Sequence, residues 1–193
     1  MSRLPVIFLF TMLVTTVLGY SIDDVLDAVT DNKLEHLKTI IRESKDTIGS
    51  FINQKHAQDG QTPLMKAVLF GRTEIVEELL KLDEVDVSIG EKDGYTPMHG
   101  AGFQGRAEIM KMLLADRRGM DPNHFHKDGY TPLHRACWGM EQRHVDTIRV
   151  LVDSGKVQHN IKAKNGKTCK MIAGHPGIQQ LYDELDQEAR TEL

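Results

Sequence analysis

Along most of the chain, apolar residues fall in short clusters at helical spacing, separated by polar segments that carry Asp-Gly or Asn-Gly. Ile75/Val76 and Leu79/Leu80 recur at i, i+1, i+4 and i+5, the stripe an amphipathic helix needs to face a core. The run Leu4–Leu18 is different: it is apolar without a charge.

The clusters repeat. Asp59-Gly-Gln-Thr-Pro-Leu-Met-Lys-Ala67, Asp93-Gly-Tyr-Thr-Pro-Met-His-Gly-Ala101 and Asp128-Gly-Tyr-Thr-Pro-Leu-His-Arg-Ala136 align directly, with threonines at 62, 96 and 131. Glu74–Leu80, Glu108–Leu114 and Asp146–Val152 follow them as second apolar segments, the last delayed by three residues around Gly139–Arg143. Weaker copies flank these: Asn165–Ala173 with Thr168, and Asp23–Ala28 followed by Glu35–Ile41, with Asp23 where threonine would stand. Ala28, Ala67, Ala101, Ala136 and Ala173 then share one column.

Each unit has a physical logic. Thr-Pro is an N-cap followed by a residue with no backbone donor to waste, and Asp-Gly before it signals a tight turn. Gly71 and Gly105 close the first helix, and Glu74 and Glu108 stand in the first turn of the second, where the helix dipole favours an acid. Two such helices cannot bury a core alone, so the units must stack. The Asp-Gly-x-Thr-Pro-Leu-His-x-Ala runs resemble the signature of the ankyrin repeat family, strongly over 59–152 and weakly outside it. That resemblance implies an all-α solenoid of about five helix-turn-helix units with projecting β-turn fingers. Units are expected at 20–58 (an N-terminal cap), 59–92, 93–127, 128–164 and 165–193 (a C-terminal cap and polar tail), with residues 44–58 as the longest loop.

Composition narrows the function. A net charge of −4 argues against a general nucleic-acid binder, and two cysteines exclude a Cys-only zinc site. His99 and His134 sit in the Thr-Pro-x-His runs, where the resemblance implies bonds to the threonine hydroxyls rather than to a metal. No phosphate loop, nucleophile elbow or His-Glu-x-x-His motif occurs. The expectation is therefore no cofactor and no catalytic residue. The alternative is an enzyme or metal-dependent activity at His124/His126 or at Cys137. Cys137 follows the alanine column and reads as an inert core thiol. Cys137 and Cys169 fall six residues and one residue after their threonines, which places their Cα atoms beyond the ~7 Å reach of a disulfide.

Met1–Gly19 reads as a signal peptide: Arg3, an apolar core and small residues near a cut after Gly19, with an uncleaved anchor as the alternative. Either exports the domain. The C-terminal Arg190-Thr-Glu-Leu193 resembles an endoplasmic-reticulum retrieval signal, so the chain is expected to be secreted or held in that lumen, or in the periplasm of a bacterium. It contains no N-glycosylation sequon.

The resemblance also indicates which columns line the concave face. The residue before the threonine is Tyr95 or Tyr130 in two units. Seven residues after it stand Leu69, Phe103 and Trp138, with Phe70 and Gln104 just beyond. Aromatic rings where folding needs no apolar residue point to an interface. Lys66 and Arg135 are expected to give it a positive rim. The chain thus reads as a monomeric, non-catalytic module that binds another protein, without nucleic acid or, once the signal is cleaved, membrane.

Overall fold

The computed structural model describes residues 19–191, with side chains as far as Gln187. The targeting segment and the Glu-Leu end of the tail lie outside the described residues. Ten α-helices, and no strand among the described residues, follow one another as α1 (Ile22–Thr30), α2 (Leu34–Glu43), α3 (Pro63–Phe70), α4 (Thr73–Leu80), α5 (Pro97–Gln104), α6 (Ala107–Ala115), α7 (Pro132–Cys137), α8 (Gln142–Asp153), α9 (Cys169–Ile172) and α10 (Pro176–Thr191). Consecutive helices pack as pairs, each odd-numbered helix packs on the next odd one, and α4, α6, α8 and α10 continue a second layer from α2. The result is a two-layer helical stack. None of these helices is long and apolar enough to cross a membrane.

The helix starts follow the chemistry of their caps. Thr62 Oγ1 accepts from the Met65 amide at 3.2 Å, and Thr131 from the His134 amide at 3.5 Å. Gly71 (φ 68°) and Gly105 (φ 65°) end α3 and α5 in the left-handed conformation that a side chain would oppose. The first unit differs from expectation: Ser21 rather than Asp23 caps α1, and Asp24 accepts from the Ser21 amide at 2.8 Å. A serine with an acid three residues on completes a capping box, so the helix starts two residues early.

The core lies between the two layers. Leu37, Ile40, Ile75, Leu79, Ile109, Leu113, Ile148 and Leu151 are buried against Ala28, Ala67, Ala101 and Ala136. The alanine column is small because the helices approach there, but it stops short of the last unit, where Ala173 already lies beyond α9. The expected 44–58 loop is partly ordered on the core: a 3-10 turn at Ile48–Ser50 buries Ile48, Phe51 and Ile52.

The cysteines correct the sequence reading. Cys137 and Cys169 form a disulfide with Cα atoms 5.5 Å apart, and no free thiol remains. The reason is the close approach of successive first helices. One unit earlier the same two positions also meet: a methyl on Gly102, six residues after Thr96, would strike the carbonyl oxygen of Pro132, one residue after Thr131. Closing 32 residues of chain separation contributes about 3–4 kcal/mol on loop entropy alone.

Candidate protein-interaction face

The face is built from the turns that precede each Thr-Pro. Before Thr96 and Thr131, one amide reaches four residues ahead and a glycine reaches back; before Thr62, the His56 amide reaches five ahead to Gln61 and Gly60 reaches back to His56, both at 2.8 Å. The Glu91 amide donates to the Tyr95 carbonyl at 3.0 Å and the Gly94 amide to Glu91 at 2.9 Å. The His126 amide donates to Tyr130 at 2.9 Å, and the Gly129 amide to His126 at 2.7 Å. This closure delivers Tyr95 and Tyr130 to the surface immediately before the caps Thr96 and Thr131.

The two rings converge on one cation. The Arg135 guanidinium lies 4.4 Å from the centroid of Tyr95, 4.5 Å from Trp138 and 5.3 Å from Tyr130. It donates to the Tyr95 hydroxyl at 2.5 Å and to the Asp128 carboxylate, and Tyr95 in turn donates to Asp128 at 3.0 Å. His126 stacks on Tyr95 at 4.0 Å. Burial by itself would raise the Asp128 pKa. Hydrogen bonds from His126, Arg135 and Tyr95 outweigh it and hold that carboxyl well below the usual carboxylate range. Burial, reinforced by the bond to Asp128, raises the Tyr95 hydroxyl.

Arg135 is consequently only 5% exposed and Lys66 9%, so the expected positive rim lies beneath the surface. The physical reason is that three π faces, the Tyr95 hydroxyl and the Asp128 carboxylate take over part of the guanidinium's hydration, while its Nε is left without a hydrogen-bond partner. Lys66 sits 3.7 Å from Asp59 with its ammonium near the Phe70 ring.

Leu69, Phe103 and Gln104 occupy the adjoining part of the face. With Met65, Gly100 and Arg135 they line a hollow of about 310 Å³ between α3 and α5, closed at the turn end by Glu91 and Tyr95. Phe103 is 54% exposed and Phe70 43%; Tyr95, Tyr130 and Trp138 are half-buried. Of the eight residues expected on the face, Arg135, Tyr95, Tyr130 and Trp138 form a caged cation and Leu69, Phe103 and Gln104 line an open hollow, while Phe70 stands apart with Lys66 and Arg72 each 5.8 Å from its ring.

Sequence reasoning missed Asp128, Glu91 and Gly100. Asp128 read only as half of a turn signal. Gly100 did carry a sign, since its column holds Lys66 and Arg135 in the neighbouring units.

His99, His134 and His126 are held by local structure. Burial pushes His99 down to about 4, and the ring stays neutral: Nε2–H donates to the Tyr130 carbonyl at 3.3 Å while Nδ1 accepts from the Thr96 hydroxyl at 2.8 Å. His134 Nδ1 meets the Thr131 hydroxyl at 2.8 Å. Both nitrogens of His126 are engaged, Nε2 with the Asp93 carbonyl at 2.7 Å and Nδ1 with Asp128 at 2.9 Å, while His124 is exposed. Among the described residues no three His, Cys, Asp or Glu side chains gather as a metal site. Cys137, bound in the disulfide, offers no thiolate at the position weighed for a nucleophile.

A two-layer stack of helix pairs, with turns and first helices on one side, defines a helical-repeat solenoid. A family model described as "Ankyrin repeats (3 copies)" matches residues 25–126, and one described as "Ankyrin repeat" matches residues 128–166. The chain belongs to the ankyrin repeat family. No curated protein matches it. Ankyrin repeats are generally protein–protein interaction modules and typically non-catalytic scaffolds.

Proposed function

We propose that this protein is a non-catalytic binding module that holds another protein against the face formed by α3, α5, α7 and the turns before them. The carrying observation is Phe103, left 54% exposed on the wall of an apolar hollow although it is not needed to close the core. Large rings in such positions are the usual anchors of interfaces. The five helix pairs count as five repeats, the outer two acting as caps, with the hydrogen-bonded turns as fingers. The module works alone as a monomer and in the secretory pathway, secreted or lumenal, or in a bacterial periplasm. The Cys137–Cys169 disulfide supports an oxidising compartment, since such bonds persist there and are rare in reducing ones.

The test is affinity capture from a secretory-pathway lysate with the chain lacking residues 1–19, against its Phe103→Ala variant. Truncating an anchor costs about 1–3 kcal/mol of binding. Capture is therefore expected to fall with the melting temperature unchanged. Unaltered capture by the variant would refute the reading.

A further inference from the structure

The hollow exists because one column of the solenoid loses its side chain. Four residues after their threonines, successive units carry Lys66, Gly100 and Arg135. At Gly100 the space of the missing side chain is taken only in part, by the Met65 methyl 2.9 Å and the Leu69 methyl 3.2 Å from where a Cβ would stand. What remains is an apolar floor of Met65 and Leu69 walled by Phe103, with room for a bulky side chain.

Charges around it are unevenly matched. Arg135 is pinned by Asp128, and Lys66 is near Asp59. Glu91, at the turn end of the hollow, meets no Lys or Arg within ion-pair distance among the described residues. Its side chain is bonded by Gln61 and faces Asp93, Asp59 and His126. His126 has both nitrogens committed elsewhere. Burial first, and Asp93 second, raise the Glu91 pKa. A half-buried carboxylate among acids gains most from an incoming cation.

From this juxtaposition we propose that the Gly100 hollow is a recognition pocket for a partner segment in which a bulky apolar side chain, seated on Met65 and Leu69, lies next to a lysine or arginine that pairs with Glu91. The inference rests on the protein-binding reading of the same face and specifies the chemistry of the partner. Arg135 does not compete for this role, because its charge is consumed inside the aromatic cage.

The test uses fluorescently labelled nine-residue peptides with a central Leu or Phe and a neighbour varied among Lys, Gln and Glu, titrated against the chain lacking residues 1–19. The Lys peptides are expected to bind at least tenfold more tightly than the Glu peptides. Glu91→Gln is expected to abolish that preference, and Glu91→Lys to invert it. Gly100→Leu should remove binding of all three, with the flexible end of Met65 displaced by the new side chain. Should Gly100→Leu fail to fold, the Glu91 pair alone decides. No charge preference, or one unmoved by Glu91→Lys, would overturn the pocket. If Phe103→Ala still weakens protein capture in that case, the wider face survives and only the pocket falls; if neither responds, both fail.

Discussion

The junction between α5 and α7 and the junction between α7 and α9 solve one problem in two ways. In both, the residue six after a threonine meets the residue one after the next threonine. At the first, Gly102 lets the backbone of Pro132 approach directly, and full-length helices on either side share the load. At the second, the incoming helix is only Cys169–Ile172, and the same spot is bridged by the Cys137–Cys169 disulfide. A short helix has little apolar surface to bury, so a covalent link replaces packing. What the two junctions share is the close approach at this pair of positions; the residue types that meet there differ.

The largest expected effect comes from cutting the covalent junction. Cys137→Ala with Cys169→Ala should cost about 3–4 kcal/mol, read by urea denaturation. Hydrogen exchange should show protection lost first in α9 and α10. Uniform loss along the stack would mean that the disulfide does not act locally. Gly102→Ala attacks the other junction, where the methyl meets backbone that cannot rotate away. Overpacking of this severity costs about 3 kcal/mol, read as the same denaturation midpoint. Gly155→Ala, a glycine with open space but a positive φ, is a control for backbone strain without a clash.

Acid should weaken the stack between its third and fourth units. His99 titrates near 6.5 when unfolded and about 4 when folded, so the unfolded chain binds more protons between those values. Stability is then fully present above about pH 6.5 and is lost as pH falls toward 4. From pH 7 to pH 5 this amounts to roughly 2 kcal/mol, and the difference between wild type and His99→Gln measures it. A His99 ring signal that titrates in NMR near its ordinary value would remove the basis of this expectation.

The smallest stability effect separates the two halves of the face. Phe103→Ala should change stability by no more than about 0.5 kcal/mol, as exposed substitutions do. Trp138→Ala strips a ring from the Arg135 cage and should cost more, about 1–2 kcal/mol, in line with a desolvated cation–π contact. Equal melting temperatures for the two variants would show that the cage carries no energy.

Much of this was legible in the residues themselves. Thr62, Thr96 and Thr131 announced helix starts, Gly71 and Gly105 announced their ends, and the alanine column marked where helices approach, because caps, left-handed glycines and small contacts are local demands written at fixed spacing. The columns that hold Tyr95, Phe103, Tyr130 and Trp138 were legible as well, but not that three of these rings surround Arg135. Tertiary structure alone decided the rest. Whether Cys137 reaches Cys169 depends on how closely one helix approaches the next, which no single unit encodes. Whether Arg135 is a rim charge or a buried one depends on Tyr95, 40 residues earlier, arriving with Asp128 around the same guanidinium. Periodicity reports what each unit needs from its neighbour; the side chains that fill the space between units meet only once the stack has formed.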